Sequence, residues 1–136
     1  MKAKLPKVLF VDDQAEVLDA LKVQVNEICV PHFAQDAEAG LEIFEKEGPF
    51  TIVVSDQILP GMNGADFLAK VIHRDPYCTT MLLTGHANYQ DAMKAVNDGH
   101  VFRLLEKPYC PKALREAILA GARQRELLEA EQVLLQ

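Results

Sequence analysis

The 136 residues are about half hydrophobic and a quarter charged, the balance of one globular domain with a single core. A formal net charge of −6 excludes direct nucleic-acid binding as the expected role, because phosphate contacts need clustered Lys and Arg. No apolar run reaches the roughly 20 residues a membrane helix requires, so no membrane association is expected.

The basic segment Met1–Lys7 leads into only a short apolar stretch, Val8–Val11, which two aspartates end at once. That is too short for a leader-peptide core, and a cytoplasmic protein is expected. Cys29, Cys78 and Cys110 are scattered and form no CxxC pair. They read as reduced thiols, small core residues rather than redox or metal groups.

Lys7–Val11 reads as a first strand, followed by Leu18, Leu21, Val25 and Ile28 at helical spacing. Cys29–Phe33 reads as a second strand. Pro31 inside it cannot donate a ladder hydrogen bond, which assigns that strand to a sheet edge. Ala37, Leu41 and Phe44 mark a second helix, closed by Gly48 as a left-handed residue. Thr51–Ser55 follows as a third strand, and Asn63 is placed to cap a third helix carrying Phe67, Leu68, Val71 and Ile72.

Thr80–Leu83 reads as a fourth strand. Tyr89, Ala92, Met93 and Val96 make a fourth helix ended by Gly99, and His100–Leu105 reads as a fifth strand. Pro111 suits the first turn of a last helix, read over Ala113 to Gln136. Only its first half carries a clear apolar stripe. Beyond Gly121, Leu127, Leu128, Val133, Leu134 and Leu135 follow an imperfect heptad-like pattern among charges. The chain therefore divides into a domain over residues 1–122 and a helical extension over 123–136. The extension reads as a linker toward an output domain, a helix that pairs with a second copy, or a frayed tail.

Strand–helix alternation five times over predicts an α/β fold: a flavodoxin-like (βα)5 doubly wound parallel sheet, strand order 2-1-3-4-5, with an extended C-terminal helix. Ligands of such sheets sit at the carboxyl ends of the strands. Asp12 and Asp13 follow the first strand, Asp56 the third, Thr84 the fourth, and Lys107 with Pro108 the fifth. Three crowded carboxylates repel unless a cation intervenes, and a hard divalent ion with oxygen ligands answers this. A lysine and a hydroxyl opposite would hold phosphoryl oxygens, so the inventory fits phosphoryl transfer to a carboxylate. Taken singly, each residue has a plainer reading: a capping pair at Asp12–Asp13, a turn at Asp56, a surface lysine, a strand-end threonine.

Val8-Leu9-Phe10-Val11-Asp12-Asp13, Val54-Ser55-Asp56, Pro60-Gly61-Met62-Asn63-Gly64, Leu83-Thr84-Gly85 and Glu106-Lys107-Pro108 stand in this order. Asp13 to Asp56 spans 43 residues, Asp56 to Thr84 spans 28, and Thr84 to Lys107 spans 23. Together they resemble the receiver domain of bacterial two-component response regulators over residues 5 to 122. The resemblance implies that Asp56 is the phosphoacceptor toward a phosphohistidine on a sensor histidine kinase. It implies Asp13 as a direct Mg²⁺ (or Mn²⁺) ligand, Asp12 acting through water, Asp56 itself as a further ligand, and the main-chain carbonyl of Ile58 completing the coordination. Thr84 would bond a phosphoryl oxygen, Lys107 would pair with the phosphate, and the Lys107–Pro108 bond would be cis.

The chain departs from the family pattern in two places. Leu104 stands where Tyr or Phe usually reports phosphorylation, with Phe102 two residues earlier on the same expected strand face as a candidate substitute. Ile58 stands where polar residues are frequent, and is expected to shield the acyl phosphate from water. His86, two residues past Thr84, is either a tuning residue or an exposed residue opening the fourth helix. A subfamily likeness around Phe102–Pro108 and Leu83–Ala87 is to receivers attached to HD-GYP phosphodiesterase domains.

The resemblance implies a switch face of the fourth helix, fifth strand and fifth helix, for an output domain, a partner, or a homodimer. The C-terminal helix is the alternative dimer contact. No turnover of a small substrate is expected, because Asp56 is flanked by Ser55, Gln57 and Ile58 rather than by a second acid. A module that no longer uses phosphate would have lost one of the acidic residues, and all are present.

Overall fold

In the computed structural model, which describes residues 4–135, five strands make one parallel sheet. They are β1 (Lys7–Val11), β2 (Val30–Ala34), β3 (Ile52–Asp56), β4 (Thr79–Thr84) and β5 (Arg103–Glu106), in the order β2-β1-β3-β4-β5. This is the flavodoxin-like order, with β2 and its Pro31 at an edge. The helices are α1 (Ala15–Gln24), α2 (Ala37–Glu47), α3 (Gly64–Arg74), α4 (Tyr89–Asn97) and α5 (Pro111–Leu135). Met1 to Ala3 and Gln136, which end the two expected segments, lie outside the described residues.

Strand alternation sorts the core into two layers. Leu9, Val11, Val53 and Leu82 face α2, α3 and α4, where Phe44, Phe67, Leu68, Val71 and Ala92 pack on them. Val8, Phe10, Ile52, Val54, Met81 and Leu83 face α1 and α5, against Leu18, Leu21, Leu114, Ala117 and Ile118. All residues of β3 and β4 are buried, as central strands covered on both faces should be.

Several expected details change. β2 lies one residue later than Cys29–Phe33, and β3 runs on through Asp56 instead of stopping at Ser55. β4 gains Thr79 and Thr84 at its ends. β5 begins only at Arg103, so Phe102 lies outside it. The Leu18–Ile28 stripe does not stay helical to its end: α1 stops at Gln24, and Glu27 with φ 75° turns the chain back toward β2. Gly48 is extended, at φ −72° and ψ 177°, not left-handed. Pro49 after it accounts for this, since proline pushes the preceding residue to extended backbone. Gly99, at φ 82°, has the expected left-handed conformation past α4. Asn63 caps α3 as expected, its Oδ1 accepting from the Asp66 N–H at 2.8 Å.

α5 is one unbroken helix of 25 residues starting at Pro111. Gly121 lets it lie close on the sheet, because a Cβ there would sit 2.6 Å from Met81 Cε. The Thr79 hydroxyl donates to the Gly121 carbonyl at 3.0 Å. Among the described residues, no helix is long and apolar enough to cross a membrane.

Candidate acidic site at the carboxyl rim

Asp12 and Asp13 lie just past β1, and Asp56 is the last residue of β3. One carboxylate oxygen of each lies within 4.8 Å of the others. Asp12 and Asp56 are buried while Asp13 is exposed. Asp12 Oδ1 accepts from the Gln14 N–H at 2.9 Å, the local turn expected of an Asp before a helix. Its Oδ2 is buried without a hydrogen-bond partner. Burial raises the Asp12 pKa; the Gln14 N–H opposes this, and the Asp56 charge adds to it. A buried, unpaired carboxylate oxygen beside two more carboxylates fits an oxygen-liganded divalent cation, which would remove the repulsion.

Lys107 enters from the strand end of β5, and its Nζ lies 2.5 Å from Asp56 Oδ1. The other Asp56 oxygen accepts from the Ile58 N–H at 3.3 Å. Lys107 is fixed at its backbone, donating its N–H to the Thr84 carbonyl at 2.7 Å, and the Lys107–Pro108 peptide is cis. Thr84 is buried at the end of β4, its hydroxyl 3.3 Å from the Gly85 carbonyl. Four strand ends thus bring three acids, one ammonium and one hydroxyl to a single rim.

The Asp56 backbone is held from below as well. Ser55 Oγ donates to the Asp56 carbonyl at 2.9 Å. Buried Gln57 accepts the Gly64 N–H on its carbonyl and the Ala65 N–H on its side chain, both at 2.9 Å. These bonds draw α3 so close that a Cβ on Gly64 would sit 2.1 Å from the Asp56 carbonyl oxygen. Only glycine fits there. Gln57 and Gly64 escaped the sequence reading as site residues, although the Asn63–Gly64 pair after a loop proline was a visible signal.

Ile58 is 56% exposed at the rim beside Asp56. His86 stands in a short 3₁₀ turn (His86–Asn88) before α4, exposed, with its Nδ1 3.4 Å from Glu106 Oε1. Leu104 packs beside the α2–α4 layer, paired with Leu82. Phe102 does not join the rim. Its N–H donates to the Thr80 carbonyl at 2.9 Å, near the opposite end of β4 from Thr84. β5 begins one residue after it. A residue the sequence did not single out, Tyr109, packs on the α1–α5 layer; burial raises its pKa, and the charges of Asp12 and Asp56 add to this. Of the cysteines, Cys29 and Cys78 are buried as expected, but Cys110 is exposed, being on the loop that enters α5.

A doubly wound parallel sheet with a carboxylate triad and an opposing lysine on its carboxyl rim defines a class of α/β domain with an acidic strand-end site. The family model described as response regulator receiver domain matches residues 8–119. The chain belongs to that family. It is 26% identical over 118 residues to the hydrogenase transcriptional regulatory protein HoxA of Cupriavidus necator, covering 87% of this chain and 24% of that protein. It is 32% identical to the phosphoglycerate transport system transcriptional regulatory protein PgtA of Salmonella typhimurium, over 87% of this chain and 28% of that one. The chain thus spans about a quarter of the length of these curated relatives. Among solved structures, it matches one titled adenylate cyclase from Rhodopirellula baltica with a TM-score of 0.92 and 31% identity, covering 96% of this chain and 97% of that one. It also matches the signal receiver domain of an HD domain-containing protein from Pseudomonas fluorescens Pf-5 at 0.87 and 28%, each chain 96% covered.

Proposed function

We propose that the domain is a cytoplasmic phosphoacceptor switch, in which Asp56 receives a phosphoryl group from a phosphohistidine of a sensor histidine kinase. The observation that carries this is the pairing of a nearly buried nucleophile, Asp56, with Lys107 on one side and two further carboxylates on the other. Asp12, Asp13 and Asp56, with the main-chain carbonyl of Ile58, would hold Mg²⁺ or Mn²⁺. The ion would neutralise the acidic cluster and a phosphoryl oxygen.

In this reading an Asp56 oxygen attacks phosphorus while the bond from phosphorus to the donor nitrogen breaks, and the histidine leaves. Lys107 moves from the carboxylate to a phosphoryl oxygen, and the Thr84 hydroxyl turns to another. The added dianion would then shift a pre-existing equilibrium in the face of α4, β5 and α5. That face would act on an output domain or a second copy. The catalysis would be confined to the domain's own phosphorylation and its reversal, with no small substrate turned over. The residues that carry this chemistry would all lie within the domain over residues 1–122. The transcriptional relatives and the HD-domain neighbour support an output carried by a further domain.

Incubating the chain with Mg²⁺ and acetyl phosphate, with intact mass as readout, tests this. Wild type should gain one phosphoryl group, and Asp56→Asn and chelator-treated protein none. A gain of equal size in Asp56→Asn would overturn the assignment.

A further inference from the structure

The second half of α5 is an amphiphilic but poorly striped helix, and an isolated helix of this length is marginal in water. It is nonetheless tied to the domain by contacts that lie at the opposite end of the sheet from the acidic rim. Arg125, with 16% of its side chain exposed, places Nη1 2.9 Å from Asp75 Oδ2 in the loop after α3. The same nitrogen donates to the Phe50 carbonyl in the α2–β3 loop at 3.4 Å. Arg125 Nε is 2.8 Å from Glu129 Oε1, one turn further along the helix. Asp75 is itself anchored, its Oδ1 accepting the Tyr77 N–H at 3.0 Å. Tyr77 then donates its hydroxyl to Gln132 Oε1 at 2.7 Å, a second tie two turns beyond Arg125. On the same stretch of helix, Gln124 and Leu128 line a cleft of about 180 Å³ with Ile72, Pro76 and Val101.

We propose that Arg125 is a clamp that makes residues 123–132 part of the receiver, a rigid strut leaving the domain in one fixed direction. The strut is not a flexible linker and not a frayed tail. A partly buried guanidinium that satisfies one carboxylate and one main-chain carbonyl on two different loops fixes rotation as well as position. Any element carried by the helix beyond Gln132 is then held at a set orientation to the sheet. The inference does not depend on Asp56 accepting phosphate.

Hydrogen exchange on the intact chain tests it, read over peptides covering 123–132. Wild type should show protected amides there. Asp75→Asn alters no residue of α5, yet should lower that protection about tenfold. Arg125→Ala should lower it at least as much, although alanine is the better helix former and an autonomous helix would gain protection. Tyr77→Phe keeps the ring and should deprotect only the last turns around Gln132. Exchange in β3 and β4 reports whether each variant remains folded. Unprotected wild-type amides over 123–132, or unchanged protection in both Asp75→Asn and Arg125→Ala with the sheet intact, would overturn the proposal.

Discussion

Lys107 Nζ lies 2.5 Å from Asp56 Oδ1, so the proposed phosphoacceptor is already paired with the group that would grip its phosphoryl oxygens. The lysine also offsets part of the negative charge that Asp12 and Asp13 bring to the rim. Lys107→Ala should therefore raise the affinity for Mg²⁺ severalfold, since one positive charge leaves the neighbourhood of three carboxylates. It should also slow phosphoryl uptake from acetyl phosphate about tenfold or more, because a fixed cation is lost from the transition state. Calorimetric titration with Mg²⁺ and timed mass spectrometry read the two effects separately. Weaker Mg²⁺ binding in the variant would show that Lys107 holds the site together and is not its counter-charge.

Asp12 gives a prediction with a defined sign. Burial raises its pKa above the ordinary 3.8, and the Asp56 charge adds to this against the pull of the Gln14 N–H. A carboxyl whose folded pKa is raised favours folding below its unfolded pKa and loses that contribution as pH rises through the folded value. At neutral pH without divalent cation the ionised Asp12 therefore weighs against the fold. Asp12→Asn, keeping the shape and the acceptor for Gln14, should raise the melting temperature in chelator by about 3 °C near neutral pH. The gain should shrink as pH falls through the raised pKa of Asp12, below which the native carboxyl is protonated as well. Added Mg²⁺ should stabilise wild type and do less for the variant. Thermal unfolding across pH, with and without Mg²⁺, checks all three, and a variant that melts lower at neutral pH in chelator would contradict the argument.

Phe102 separates what was legible in the sequence from what was not. The strand order followed from Pro31 and from the alternation of patterns. The rim residues followed from reading one position past each strand, since the errors in strand ends were a residue or so there. Phe102 was misplaced because Val101 and Phe102 continue the apolar composition of β5, while Gly99 and the buried Thr80 pull the chain into a bend before Arg103. Composition cannot report where a strand begins to pair. The Arg125 clamp was invisible for a related reason: its partners Asp75 and Phe50 are 50 and 75 residues away, and each alone looks like ordinary loop chemistry. Because Phe102 pairs with Thr80 and not near Thr84, Phe102→Ala should leave phosphorylation-dependent exchange in the Thr84–Asn88 segment within about twofold of wild type. Loss of that response would return Phe102 to the switch.

If Asp56 is the phosphoacceptor proposed above, Ile58 would bear on how long the phosphorylated state lasts. Its N–H donates to Asp56 Oδ2 at 3.3 Å, which fixes the backbone beside the nucleophile. The residue is 56% exposed, so it contributes little to the core and stands at the mouth of the rim. An apolar group there disfavours an ordered water beside the acyl phosphate, whereas an amide would offer that water a hydrogen-bond partner. Ile58→Asn should therefore shorten the lifetime of phosphorylated Asp56, by about three- to tenfold if one ordered water is recruited. The fold should be unaffected, since a surface substitution of this kind is usually within about 0.5 kcal/mol. The measurement is the loss of the phosphoryl mass after the donor is removed, at fixed Mg²⁺ and pH, with melting temperature as the control. Equal rates for the two proteins would mean that water reaches the acyl phosphate by a path Ile58 does not guard.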